Sequence, residues 1–314
     1  MSRPGAPGPP AMPAAEADAP TARTPGYRPY DGARLSYATT FDAPWRRGAI
    51  RALEWATGKP RLLRLIRRFE AEGVEHGQGF WPHALRVMGI ELRTPDAQVA
   101  RIPATGPVVV VANHPHGLVD GMVLAALIGR VRTDYRILTR ALLTGVPEVE
   151  RFLIPVPFPH EADARTRMLE MRARARAQLA RGGVVALFPA GAVAASDGWW
   201  GPAREAPWAP FTAKLIREAG ATVVPVRFPG ANSRAYQIAG RVSPVLRQGL
   251  LLHEVVHALG RPQAPVVRAP IPPREWAPHA RDAAGFPAWL RARTLEGGPA
   301  GAAAGAGPGR EASR

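Results

Sequence analysis

Val108-Val109-Val110-Val111-Ala112-Asn113-His114-Pro115-His116-Gly117-Leu118-Val119-Asp120-Gly121 sets five consecutive apolar residues against a turn built from Asn, His, Pro and Gly. A run that is apolar at every position, rather than at alternate ones, belongs to a strand covered on both faces. Pro115 keeps His114 out of the helical region, which makes His114 the last extended residue and Pro115 the first of a new helical segment. Asp120 then falls near the end of that segment's first turns.

Working outward, short β-branched runs at Arg136–Thr139, Ile154–Val156, Val184–Phe188, Val223–Phe228 and Val266–Ile271 read as further strands. Helical patterns fill 118–129, 163–181, 210–219 and 246–259 between them. Near-continuous apolar strands alternating with helices predict an α/β fold, a mostly parallel sheet covered by helices on both faces. Ligands of such sheets gather beyond the carboxyl ends of the strands.

His114 stands at such an end, and a carboxylate one or two turns on can accept from one ring nitrogen and leave the other to take a proton. His114 and Asp120 are therefore the candidate catalytic pair. His116 and Asp120 are related as i and i+4, the spacing that pairs side chains on one helix face, so His116 competes for the base role. His114 is preferred for its strand-end place, with His116 and Gly117 lining the pocket. Arg140 follows the 136–139 strand and reaches the same rim, where a guanidinium can hold a phosphate or carboxylate. Arg227 and Asn232, at and beyond the end of the Val223–Val226 run, are lesser candidates of the same kind.

The motifs, in order, are Thr105-Gly106-Pro107 leading into 108–121, Tyr135 to Arg140 through Ile154-Pro155, Leu187-Phe188-Pro189-Ala190-Gly191, and Val223 to Val226. In this order, over about residues 45 to 275, the chain resembles the lysophospholipid/glycerophosphate acyltransferase family. Within it, the chain is most similar to the bacterial branch of lyso-ornithine-lipid acyltransferases and proteins named hemolysins, which commonly shows five residues between the motif His and Asp. The resemblance implies that His114 deprotonates an acceptor hydroxyl attacking an acyl thioester while Asp120 orients the imidazole. It also implies that Phe188, Pro189, Ala190 and Gly191 bind substrate, with Gly191 letting backbone N–H groups approach a headgroup or oxyanion; a plain tight turn fits the same residues. The family's Phe-Pro-Glu-Gly-Thr is here Phe188-Pro189-Ala190-Gly191-Ala192, without the Glu and the hydroxyl, which favours a lyso-ornithine lipid over lysophosphatidic acid as acceptor. The implied partners are a lysolipid and an acyl carrier protein or coenzyme A thioester, the thioester being a co-substrate and no cofactor being needed.

A second motif competes. His253-Glu254-Val255-Val256-His257 is an H-E-x-x-H, which on a helix presents two imidazoles to zinc with Glu as base. The longer pattern needs His at 263, where Gln263 stands, although Glu275 would serve as a third ligand. Leu251, Val255 and Leu259 read as the buried stripe of an ordinary helix, so no metal is expected.

The 314 residues hold 41 basic against 25 acidic side chains, a formal charge of +16, and no Cys. Without Cys there is no disulfide framework, thiolate zinc site, iron–sulfur cluster or thiol nucleophile. Lys59 and Lys214 are the only lysines, leaving 39 arginines. The surplus draws the protein to polyanions: nucleic acid, an anionic leaflet or an acidic carrier. No nucleic-acid recognition module is legible, so no specific nucleic-acid partner is expected.

Residues 1–40 and 296–314 are too poor in large apolar residues to fold and read as disordered tails. Between them lie a helical segment, 41–100, and the α/β domain, 101–295. In the first, Ile50, Leu53, Leu62, Leu63, Leu65, Ile66 and Phe69 interleave with Arg46, Arg47, Arg51, Arg61, Arg64, Arg67 and Arg68. Gly58-Lys59-Pro60 should split it into two helices. Such helices either rest on an anionic membrane, with Leu and Ile entering the headgroup boundary, or pack on the core with a solvated basic face. Neither a signal peptide nor a membrane span is legible, which predicts a peripheral protein on the cytoplasmic face of the inner membrane.

Overall fold

Val108–Ala112 (β1) is buried between two parallel neighbours, Val184–Leu187 (β4) and Thr222–Arg227 (β7). Outside β4 lie Tyr135–Thr139 (β2) and Leu153–Pro155 (β3), also parallel, and outside β7 lies the antiparallel Val266–Val267 (β8). The order β3-β2-β4-β1-β7-β8 makes the mostly parallel α/β sheet that the apolar runs predict. The computed structural model describes residues 29–140, 146–158, 161 and 163–297.

The helices are Pro44–Thr57 (α1), Lys59–Ala71 (α2), Phe80–Val87 (α3), Asp96–Val99 (α4), Leu118–Ile128 (α5), Ala164–Ala180 (α6), Pro210–Ala219 (α7), Arg234–Val242 (α8), Pro244–Gly249 (α9), Leu251–Ala258 (α10), Pro273–Trp276 (α11) and Gly285–Leu295 (α12). A small hairpin, Ala195–Ser196 (β5) and Ala203–Arg204 (β6), stands apart from the sheet.

The valine run is divided between two cores by the pleat of the strand. Val108, Val110 and Ala112 face α5, Trp81 of α3 and Leu252 and Val255 of α10. Val109 and Val111 face α6, Leu215 and Ile216 of α7, and Phe286 and Leu290 of α12. Burial on both faces is why every position is apolar.

Several expectations are corrected. The helix expected over 246–259 is two, α9 and α10, parted at Leu250; beside the break Gly249 lies against α1, where a Cβ would come 2.8 Å from Leu53 Cδ2. The last strand is shorter than Val266–Ile271, since Pro270 has no N–H to donate and Ile271 forms a separate bridge to Val223. Of the tail read as disordered over 1–40, residues 1–28 lie outside the described residues, as do 298–314. Residues 29–40, however, pack onto the fold: Leu35 is in the core, Tyr30 N–H donates to Glu70 at 2.7 Å, and Ser36 Oγ and Tyr37 N–H donate to the buried Glu54 at 2.7 and 2.6 Å.

Gly58 does separate α1 from α2, with Pro60 in the first turn of α2, where its missing N–H costs nothing. The apolar stripe of α2 goes to protein: Leu62 is buried, and Leu63, Leu65, Ile66 and Phe69 lean on the same core. The reading in which these Leu and Ile side chains enter a headgroup boundary is thereby corrected. Arg61, Arg64, Arg67 and Arg68 are exposed on the outer face. Helix α3, also within 41–100, is a core element with Trp81 fully buried.

Candidate active site

The chain leaves β1 at Ala112, the last residue registered with β7. His114 is therefore not the last strand residue, and Pro115 does not begin the helix. Asn113 to Gly117 form a turn, and α5 starts at Leu118 behind Gly117, whose φ of 73° and ψ of −126° suit glycine alone. That one residue delays the helix. Asn113 secures the turn to the next strand end, donating Nδ2–H to Phe228 O at 2.9 Å and accepting Phe228 N–H at 2.7 Å.

Asp120 thus stands in the first turn of α5, where a carboxylate suits the helix N-terminus, and points back into the turn. It is fully buried. Its Oδ2 accepts His116 N–H at 2.8 Å and lies 3.0 Å from His114 Nδ1, while Oδ1 lies 3.0 Å from His116 Nδ1. Burial alone would raise the Asp120 carboxyl, but the hydrogen bonds from His114 and His116 outweigh it and hold the pKa below its ordinary value. A carboxylate only accepts, so each Nδ1 carries its proton toward Asp120, and each neutral imidazole keeps a bare Nε2.

The two imidazoles differ in what surrounds them. His114 stacks on Phe188, ring centroids 4.0 Å apart at 21°. Its backbone is held on both sides: its N–H donates to Glu205 Oε2 at 3.1 Å, and its carbonyl accepts Ala194 N–H at 2.8 Å. His116 presses toward the loop after β7, where a Cβ at Gly230 would lie 3.0 Å from Nε2. The structure therefore brings His114, His116, Gly117, Asp120 and Phe188 together.

Pro189, Ala190 and Gly191 follow Phe188 at the end of β4, directly beside β1. Gly191 N–H donates to Phe188 O at 3.0 Å and closes a turn, with φ of 65° at the glycine. Gly191's own N–H is thus engaged within the turn. Arg140 leaves β2 at the same rim, but β4 intervenes, a lateral offset of roughly 10 Å. It lies over the Phe158 ring, 5.4 Å from the centroid, and desolvation lowers its pKa. Arg227 is the last residue of β7. Asn232 is buried, and its Nδ2 has no hydrogen-bond partner among the described residues.

Sequence reasoning missed Glu205, Asn113 and Gly230. Glu205 is buried under the Asn113–Gly117 turn, accepting Trp208 Nε1–H at 3.2 Å as well as His114 N–H. Burial raises its pKa, against the lowering effect of those two donors. Nothing in Arg204-Glu205-Ala206-Pro207-Trp208 announces this, because the partner lies 91 positions away. Asn113 was within the quoted motif, and a polar side chain directly after five buried residues was the signal available.

The H-E-x-x-H segment does lie on a helix, α10, but is put to other use. Glu254 accepts Ser233 N–H at 2.7 Å and Ser233 Oγ–H at 2.6 Å, fastening the start of α8. His253 Nδ1 is 3.3 Å from Thr57 O. Glu275 pairs with Arg293 at 3.5 Å. Among the described residues no group of three or more His, Asp or Glu side chains is placed to hold a metal ion.

The mostly parallel sheet thus carries a buried His–Asp constellation beyond its strand ends. Residues 76–259 match the family model described as Acyltransferase, and with more than half of its length matched the protein belongs to that family and is an acyltransferase. Among solved structures it is similar to the 1-acyl-sn-glycerophosphate (LPA) acyltransferase PlsC from Thermotoga maritima, at 13% identity and a TM-score of 0.42, covering 70% of this chain and 78% of that one. No curated protein matches the sequence.

Proposed function

We propose that the protein is an O-acyltransferase that moves a fatty acyl chain from an acyl carrier protein or coenzyme A thioester to the free hydroxyl of a lysolipid. The acceptor is of the lyso-ornithine lipid or lysophosphatidic acid type, and the setting is membrane lipid biosynthesis at the cytoplasmic face of the inner membrane. The observation that carries this reading is the buried Asp120 carboxylate, 3.0 Å from His114 Nδ1, in a chain of the acyltransferase family. His114 Nε2 takes the hydroxyl proton as the acceptor oxygen attacks the thioester carbonyl. The tetrahedral intermediate expels the thiolate, which takes that proton from the imidazolium and leaves as the free thiol. Asp120 offsets the charge that His114 carries meanwhile.

The attacking oxygen belongs to the acceptor, so no enzyme nucleophile and no cofactor enter the step. His116, Gly117, Phe188, Pro189, Ala190 and Gly191 line the place where the two substrates meet, and Arg140 on the same rim holds an anionic group of one of them. A charge of +16 suits an acidic carrier protein and the phosphates of coenzyme A alike.

The test crosses both donors against a panel of lysolipids, with ester formation followed by mass spectrometry. Transfer to a lysolipid hydroxyl that disappears in His114→Ala supports the proposal. No transfer to any panel member from either donor, by folded protein, overturns it.

A further inference from the structure

Two tryptophans sit in water at the tip of the β5–β6 hairpin, Asp197-Gly198-Trp199-Trp200-Gly201-Pro202, with Trp199 52% and Trp200 78% exposed. The tip is held in shape. Ser196 Oγ lies 2.6 Å from Gly198 O and 3.0 Å from Gly201 O, and Ser196 N–H donates to Gln237 of α8 at 2.8 Å. Arg234 at the start of α8 donates to Gly201 O at 2.6 Å. A braced loop that presents two adjacent indoles outward is not explained by packing.

The hairpin's neighbours share the feature. α8 packs on β5, α9 on α8, and α1 on α9. Val242 of α8, Leu246 of α9 and Trp45 and Trp55 of α1 are all exposed. Of the seven exposed large hydrophobic side chains among the described residues, only Leu169 of α6 lies outside this connected set. Basic residues predominate there. Residues 233–252 hold Arg234, Arg241 and Arg247 and no acid. On α1, Arg46, Arg47 and Arg51 are exposed while Glu54 is buried. Asp197, the acid on the hairpin tip, is 3.7 Å from Arg204.

We propose that this face docks on an anionic lipid bilayer, and that the Trp199-Trp200 hairpin is the element that enters the headgroup region. Indoles favour that region, and arginines around them meet lipid phosphates. A second copy of the chain would bring like charge against like charge, which disfavours a dimer across the same face. The placement joins docking to chemistry: Ala194, directly before β5, donates its N–H to the carbonyl of His114. An inserted hairpin therefore seats the catalytic turn at the membrane surface, where a lysolipid hydroxyl is found. The proposal rests on the lysolipid reading for its purpose, but its test does not.

The full-length protein is mixed with phosphatidylcholine vesicles containing phosphatidylglycerol, with no acyl donor. Binding is read by co-sedimentation, and tryptophan emission is read with and without brominated lipid. Wild type should sediment with the vesicles, retain part of its binding in high salt, and be quenched by the brominated chains. Trp199→Ala/Trp200→Ala should bind about tenfold or more weakly, lose the salt-resistant part and lose most of the quenching, while acylating a detergent-dispersed lysolipid at the wild-type rate. Equal binding and equal quenching in the double variant overturn the proposal. So does a lipid-free dimer of wild type that the double variant abolishes. Should the double variant misfold, absence of quenching in wild type bound to the vesicles overturns it alone. Vesicle binding that needs these tryptophans, in a protein that acylates no lysolipid, sinks the lysolipid reading and leaves the docking surface standing.

Discussion

Asp120 serves His114 and His116 at once, one carboxylate oxygen 3.0 Å from each ring Nδ1. In the sequence these histidines compete for one partner; in the structure both have it. Either imidazole is thereby oriented with Nε2 away from the carboxylate, and the surroundings must separate the base from its neighbour. The stacking of His114 on Phe188 and the two hydrogen bonds that hold its backbone assign it the more rigid place.

His114→Ala and Asp120→Asn should each lower acyl transfer by about a hundred- to ten-thousand-fold, the usual yield of a general base, while circular dichroism shows folded protein. His116→Ala should lose far less. Full loss in His116→Ala with activity kept in His114→Ala would exchange the two roles.

Gly230 is held at φ of 89° beside His116, where a methyl group would lie 3.0 Å from Nε2. Gly230→Ala should cost about 1–2 kcal/mol in urea unfolding from backbone strain. Because it acts through the His116 ring, its effect on transfer should not add to that of His116→Ala. Simple additivity in a double-variant cycle would separate the two residues.

Glu205 gives a pH signature whose sign is set by burial. Its pKa is raised in the folded protein, so above the unfolded value of about 4.3 the folded state binds more protons than the unfolded. Its contribution to stability is complete below that pH and is lost as pH rises through the folded value. Glu205→Gln lacks this slope and should gain stability relative to wild type as pH rises above about 4, as read from urea midpoints at successive pH. Parallel pH curves for the two proteins would refute the assignment.

Asn113→Ala should strand the Phe228 N–H and C=O, both served by the amide at 2.7 and 2.9 Å. Each buried group left unpaired costs about 1–3 kcal/mol, so chemical denaturation should show a loss of that order or greater. A loss under about 0.5 kcal/mol would mean that water replaces the side chain.

The basic face of α2 gives a fifth test. Replacing Arg61, Arg64, Arg67 and Arg68 by Gln should weaken attachment to anionic vesicles, at about 1 kcal/mol for each arginine near the surface. Arg68 is paired with Glu72 at 2.9 Å, so most of the effect should come from the other three. Unchanged sedimentation across a salt series would remove α2 from the membrane contact.

Element types were legible where local pattern decides them. β1 is apolar at every position because two cores claim alternate residues, and α5, α6 and α7 lie within a residue or so of the helical patterns read from the chain. Short pieces were not read: α12 has weak helical periodicity, α8 is amphipathic but only nine residues long, and the two-residue strands of the β5–β6 hairpin owe their pairing to what they pack on. The His114–Asp120 pair was visible because six residues and one turn span it. The sequence alone determined the class of sheet, the strand end at which the histidines stand and the sign of the surface charge, since each follows from residues near one another or from a plain count. Tertiary structure decided that Glu205 and Phe228, 91 and 115 positions from their partners, fasten the Asn113–Gly117 turn, and that one buried carboxylate is shared by two imidazoles. Those contacts depend on β4, β1 and β7 lying side by side, an order that no local pattern encodes because the chain visits these strands far apart.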